Sequence, residues 1–340
     1  MKQGVTFIGT MLVDLIKMID NYPEPGKLCN MGEITQCIGG LACNTAIDLK
    51  VLDPSMDVWS MGMVGKDERG VYLRERLASY GIDISGIREN DTLPTSFTDV
   101  MTVRSTGVRT FFQQQGACAV YGYDDVDFDR IETSHAHVGY ALLMNRLDTP
   151  DAEYGSGMAR VLDKLTSLGI KTSIDLVSDV SNRYREVITP SLPYTDYLFT
   201  NEVEAAGITG MVVNASDPND HSSVKEACAA LLKMGVRKMV ILHAPLGGWF
   251  MTAEGRFMFC PAVDVPPGYI KGSVGAGDAF CAGMLYALVR KLSPEEGLVI
   301  ANLAAAANLS NSNSIDGMRS LPELRENFKE YIDFVKQMGN

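Results

Sequence analysis

The residues with the plainest capacity for chemistry are Gly272-Ser273-Val274-Gly275-Ala276-Gly277-Asp278, which lead straight into the helical stretch AFCAGMLYALVRK. An acid in a first helical turn complements the N–H groups and dipole exposed there. Two nearby glycines weaken the start of a helix, so bare backbone at this point serves the close approach of something else. Free N–H groups at a helix N-terminus suit an anion. The amides of Gly275, Ala276 and Gly277 are therefore a candidate anion hole, with Asp278 as a base beside it. The competing reading is a glycine-rich loop whose acid simply caps the helix.

Three further groups invite the same question. IGGLACNTA (38–46) sets Gly39 and Gly40 before a helix carrying Asn44. Paired glycines admit a small polar ligand, and an amide side chain can both donate to and accept from hydroxyls; a turn and a capped helix would look alike. Asp14, just after the first apolar run, is placed to bind sugar hydroxyls or to stand solvated. Asn201 and Glu204, in NEVE after DYLFT, share one helical face. Such a pair can hold the water shell of Mg²⁺, which prefers oxygen ligands, or act as a helix cap followed by a solvated acid.

The elements that must position these residues alternate. Short apolar runs at 5–11, 58–65, 135–144, 171–177, 196–200 and 238–244 read as buried strands. Amphipathic stretches at 40–52, 68–81, 152–169, 223–235, 276–290, 294–309 and 322–338 read as helices, several stopping at a glycine. Alternation of this kind predicts a mostly parallel sheet covered on both faces, with ligands at the carboxyl ends of the strands. Residues 12–38 and 95–115 break the alternation. The second is a predicted β-hairpin turning at Ser105-Thr106-Gly107. Together they predict a small sheet forming a lid, so the core comprises 1–11, 36–94 and 117–340 and the lid 12–35 and 95–116. Gly26, Gly32 and Gly116 flank the lid as candidate hinges. The runs Ala304–Ala307 and Ser310–Ser314 are too short to mark low complexity.

Composition excludes several classes. The 340 residues are 46% hydrophobic and 21% charged, as in a globular chain with a substantial core. A net charge of −12 argues against nucleic acid as a partner. It also means that any bound anion is held by a local arrangement. Seven scattered cysteines without a CxxC pair, and four histidines without zinc spacing, point to reduced thiols in a cytosol. No apolar run approaches the roughly 20 residues of a membrane helix, and residues 1–16 lack the pattern of a signal peptide. The expected location is cytoplasmic, with no membrane partner.

Taken in order, Asp14, GG-x-x-x-N at 39–44, the lid hairpin, N-x-x-E at 201–204, GAGD at 275–278 and a terminal Ala-rich helix resemble the ribokinase, or PfkB, family of carbohydrate kinases. The resemblance runs nearly end to end. It implies a three-layer α/β/α sandwich with a mostly parallel central sheet and a small β-sheet lid. It implies that Asp278 takes the proton of an acceptor hydroxyl attacking the γ-phosphorus of ATP, while Gly275, Ala276 and Gly277 offer N–H groups to the developing charge. Asn201 and Glu204 would organise Mg²⁺ through water, and Asp14, Gly39, Gly40 and Asn44 would bind the acceptor. Gly248 and the segment 302–317, with Asn308, would border the nucleotide. Three positions depart from the family pattern. Gly272 replaces the usual Asp, which puts activation by a monovalent cation in doubt; His243-Ala244-Pro245-Leu246-Gly247-Gly248 replaces Thr-x-Gly-x-x-Gly; and Val274 replaces a Thr or Asn.

For the acceptor, the lid carries Arg104, Arg109 and Gln113–Gln115, and Arg109 is the candidate for pairing with a substrate carboxylate or phosphate, the competing reading being an arginine simply solvated on a hairpin. Phe111, Phe112 and Tyr121 are candidates for stacking on a sugar or base, or equally for packing within the lid. The resemblance favours a small sugar or sugar acid, with a nucleoside as the alternative acceptor and a non-catalytic sugar or nucleotide sensor as the reading from another class. It further implies lid closure over the acceptor and a possible homodimer through the lid.

Overall fold

The computed structural model describes residues 1–178 and 183–338. The chain opens with β1 (Lys2–Gly9), passes to β2 (Leu12–Ile19) and β3 (Met31–Gly39), and returns through α1 (Leu41–Leu52) to β4 (Asp57–Gly65). After α2 (Glu68–Ser79) and β5 (Asp83–Asn90) it leaves again for β6 (Ser96–Val103) and β7 (Arg109–Gln114). Then come β8 (Thr133–Ala141), α3 (Gly157–Ser167), β9 (Lys171–Leu176), α4 (Tyr184–Ile188), β10 (Tyr197–Asn201) and α5 (Glu202–Thr209). The chain continues with α6 (Ser222–Lys233), β11 (Met239–Ala244), β12 (Gly247–Thr252) and β13 (Phe257–Pro261). Four helices close it: α7 (Ala276–Arg290), α8 (Pro294–Asn308), α9 (Leu321–Asn327) and α10 (Lys329–Met338).

Among the described residues two sheets form. The larger runs β13-β12-β11-β10-β9-β8-β1-β4-β5, parallel from β5 to β11 and antiparallel at its β12–β13 edge. The smaller runs β3-β2-β6-β7, antiparallel except where β2 pairs β6. Helices cover both faces of the large sheet because its strands send alternate side chains to opposite sides. Phe7, Ile241 and Phe250 pack with Leu41, Phe280 and Leu298 on one face. Their neighbours Ile8, Leu242 and Trp249 pack with Leu162 and Leu231 on the other. Phe7 is fully buried, and removing a ring like this from a core costs about 3–5 kcal/mol.

The small sheet is thinner in its support. β7 is exposed along nearly its whole length, while β6 alternates buried and half-buried residues. β3 is exposed for six residues and then buried at Cys37–Gly39, so one strand crosses the boundary placed at 35/36. The hairpin turn lies where predicted: Gly107, at φ 70°, donates its N–H to Val103 O at 2.8 Å. Gly32 lies within β3, not between elements.

Several expectations change. The helix predicted over 322–338 is two, because Phe328 leaves helical dihedrals at φ −119°. The helix predicted from 152 begins at Gly157, where the Ser156 hydroxyl accepts the Ala159 N–H. β5, β12 and β13 were not predicted. β5 lies at the sheet edge with three of its eight residues exposed, and β12 and β13 begin and end among turn residues that masked them.

Candidate active site

A cavity of about 860 Å³ opens between the carboxyl ends of the large sheet and the underside of the small one. Helix α7 enters it with Gly275 as N-cap at φ 81°. A Cβ at Gly275 would lie 2.4 Å from Ser314 O, so both the left-handed conformation and the close contact require glycine. Among the described residues, the N–H groups of Gly275 and Gly277 have no acceptor, whereas Ala276 N–H donates to Ser273 O at 3.3 Å. Two of the three predicted amides therefore point free.

Asp278 sits in the first turn of α7 and is only 6% exposed. Asn44 Nδ2 donates to its Oδ2 at 3.0 Å, Thr45 Oγ1 to its Oδ1 at 3.1 Å, and the Tyr140 hydroxyl also donates to Oδ1. Burial raises the carboxyl pKa above the ordinary value, and these three donors oppose the rise. A carboxylate offers about four lone-pair sites. Oδ1 accepts from two donors and Oδ2 from one, which leaves a site on Oδ2.

Helix α1 supplies two of those donors because Gly40 turns the chain into it. Gly40 has φ 89° and lies where a Cβ would meet Thr10 O at 2.4 Å. Asn44 is held from behind by the Ser314 hydroxyl, 3.1 Å from its Oδ1. Its amide is thus committed to Asp278 as well as facing the cavity predicted for the acceptor. Asp14, on β2, lines the same cavity. Burial pushes its pKa up to about 7, against a hydrogen bond from Thr98. Gly39 makes room for it, since a Cβ there would be 2.6 Å from Asp14 Oδ2.

At the far end of the cavity, Asn201 caps α5, its Oδ1 accepting from Val203 N at 2.9 Å and Glu204 N at 3.0 Å. Glu204 answers by accepting from Asn201 N at 3.0 Å and from Asn201 Nδ2 at 2.8 Å. The cap reading is thus present, but Glu204 is 3% exposed and not solvated. Asp175 joins it from the end of β9, and its pKa is pushed up by burial first and by the Glu204 charge second. Two buried carboxylates at one end of the cavity form an oxygen donor set that suits a hard divalent cation such as Mg²⁺. His243 also lines the cavity against Gly277, with burial holding its pKa down to about 4.

Several predicted residues lie outside the cavity lining. Gly248 is in β12, where a Cβ would be 2.6 Å from the Phe280 ring, so it permits helix packing and does not line the cavity. Asn308 is fully buried and donates through Nδ2 to Ser314 O at 2.6 Å, supporting the loop behind the site. Tyr121 is 1% exposed within the core, so stacking on a ligand falls to Phe111 alone of the three aromatics. Arg104 stays outside the cavity lining, near Asp20. Arg109 reaches across the cavity to Ser312 O at 2.9 Å, and its Nη2 fills the space beside Gly272.

Sequence reasoning missed Tyr140, Thr45, Asp175 and Ser314. An acid at the carboxyl end of SIDLV was a signal for Asp175 of the same kind that picked out Asp14. Ser314 lay in a serine–asparagine run that carries no motif.

The pfkB family carbohydrate kinase profile matches residues 2–321. An ATP-dependent ribose-1-phosphate kinase from Halopiger xanaduensis is 26% identical over 313 residues, 91% of each chain. A nucleoside kinase from Methanocaldococcus jannaschii is 22% identical over 89% of each. The structure of Arabidopsis thaliana ribokinase complexed with ribose and ATP superposes with TM-score 0.79 at 20% identity, covering 97% of this chain and 99% of that one. A match across nearly the whole chain, on the fold and cleft described above, places this protein in the pfkB family of carbohydrate kinases.

Proposed function

We propose that the protein transfers the γ-phosphoryl group of ATP to a hydroxyl of a small sugar or sugar acid. The observation that carries this reading is the placement of Asp278. It is a buried carboxylate with one open lone-pair site, at the mouth of α7 beside two free amides, in the cavity that also holds Asp14 and Asn44.

In this reading the acceptor hydroxyl lies between Asp14 and Asp278, with its proton directed at the open site on Asp278 Oδ2. The acceptor oxygen forms a bond to the γ-phosphorus as the bond from that phosphorus to the β–γ bridging oxygen breaks. The electron pair leaves with ADP and the proton passes to Asp278. In a loose transition state the proton leaves late, so holding the base in place matters more than its strength. Tyr140, Thr45 and Asn44 do the holding. The Gly275 and Gly277 N–H groups face the charge on the transferring group, and amide donors of this kind contribute about 3–4 kcal/mol each in related anion holes. Glu204 and Asn201, with Asp175, would hold Mg²⁺ through its water shell, and the ion would neutralise phosphate charge.

Small-sheet residues Asp14, Thr98, Arg109, Phe111 and Gln113 line one side of the cavity, which supports a lid that excludes water from the γ-phosphate. The exposed apolar side chains of that sheet, Met31, Ile34, Phe111 and Phe112, support pairing of two lids in a homodimer. Purified protein with Mg-ATP, assayed for ADP release against sugars, sugar acids and nucleosides, tests the reading. Turnover with a sugar or sugar acid supports it. Exclusive turnover of nucleosides would transfer the assignment to the acceptor class named for the Methanocaldococcus relative.

A further inference from the structure

Among the described residues lining the cleft, Arg109 is the sole side chain with a permanent positive charge. Its guanidinium is anchored on one side only. Nη2 donates to Ser312 O at 2.9 Å and occupies the space where a Cβ on Gly272 would be 2.7 Å away. Nη1 is shut off from solvent and has no hydrogen-bond partner. No carboxylate within ion-pair distance of it occurs among the described residues. Arg109 and Asp14 are carried by the same small sheet and line the same cavity, which sets Arg109 on the side predicted for the acceptor. Asp14 itself is only partly ionised near neutral pH, because burial pushes it up to about 7.

A charge withdrawn from water is costly unless it is paired. The side chain lines the cavity, and turning Nη1 toward a ligand there would let the guanidinium fork match a carboxylate or phosphate with two parallel hydrogen bonds. We propose that Arg109 forms an anion subsite at the acceptor end of the cleft, so that the acceptor carries a carboxylate or phosphate in addition to the hydroxyl that is phosphorylated. The glycine at 272 belongs to this subsite, since any side chain there would displace the guanidinium. The proposal rests on the kinase reading above and narrows its substrate class.

The test compares wild type, Arg109→Gln and Arg109→Lys with Mg-ATP and matched acceptors: ribose, ribose 1-phosphate, ribose 5-phosphate, glucose and gluconate. An anionic acceptor is expected to be preferred. Arg109→Gln should raise its KM about 30-fold with little change in kcat, the scale of a lost hydrogen bond to a charged group, and Arg109→Lys should recover part of that. Preference for a neutral sugar would overturn the proposal and leave the kinase reading standing. So would a loss of kcat on every acceptor at constant KM, which would put Arg109 on the phosphoryl side. A second arm measures thermal stabilisation by sulfate and by ribose 1-phosphate with Mg²⁺ and a non-hydrolysable ATP analogue present. Equal shifts in wild type and Arg109→Gln overturn the subsite whether or not any acceptor turns over. A shift that depends on Arg109 without turnover supports the subsite and counts against the kinase reading alone.

Discussion

Helix α7 presents Asp278 from a fully packed core, with three donors fixing one carboxylate. Across the same cavity β7 presents Arg109 and Phe111 from a strand whose residues are nearly all exposed. The floor holds its working group by bonds to α1 and to the end of β8, both buried in the large sheet's layers. The roof is held by one parallel and two antiparallel pairings and by the Arg109 contact to Ser312. The difference teaches that the two tasks separate. In the proposed reading the base and its amides, which must not move, belong to the core, and the residues that would select the acceptor belong to a layer that tolerates change.

The severest way to test that division is Asp278→Asn. We expect turnover to fall about 10³-fold while ATP affinity by calorimetry stays near wild type, because the side chain keeps its size and place. Unchanged turnover would remove the floor from the comparison altogether. Next comes a matched pair of glycines with positive φ. Gly275→Ala drives a Cβ to 2.4 Å from Ser314 O, whereas Gly107→Ala in the lid turn meets nothing within 4 Å. Both incur strain of about 1–2 kcal/mol. Only the first should also cost activity, by about 10²-fold in kcat, because the clash displaces an anion-hole amide, with an effect on the scale of losing that donor. Equal effects in melting and kinetics would show that floor and roof are alike.

Tyr140→Phe sharpens the point within the floor. The Tyr140 hydroxyl stabilises the charged form of Asp278 and so works against the burial that raises its pKa. Removing the hydroxyl lets that pKa rise further. The base acts only when deprotonated, so the acidic limb of the kcat/KM profile should move to higher pH. On that acidic limb activity should drop about tenfold, on the scale of one hydrogen bond. A limb that stays put would make Tyr140 a packing residue. The smallest expected effect is at the roof: Phe112→Ser, at a side chain 56% exposed, should change unfolding stability by less than about 0.5 kcal/mol. If lids pair, sedimentation of this variant should show a weakened dimer.

Much of this arrangement was legible in the residues. The strand–helix alternation placed the large sheet, and glycine pairs before helices marked both Gly40 and Gly275, because backbone demands of that kind restrict residue choice. The hairpin announced itself through Ser105-Thr106-Gly107. What stayed hidden depended on distant partners. Tyr140 looked like a buried strand residue until the fold set it against Asp278, 138 positions away in sequence. Gly248 looked like a loop glycine, but its neighbour is the Phe280 ring from a helix that begins 28 positions later. β5 and β13 have too little alternation to be read without the strands they pair with.

One strand bridges the two regions, and that has a mechanical consequence. β3 is exposed through Gln36 and buried from Cys37, and it ends against Asp14 and the glycine that starts α1. Movement of its outer half cannot be absorbed at Gly32, which is inside the ribbon, so it must be taken up over Cys37–Gly40. Those residues are a few positions from Asn44 and Thr45, the donors that steady Asp278. Tilting the roof would thus load Asp278 through those donors, and in the proposed kinase reading an acceptor that draws the roof down would tension that carboxylate into register.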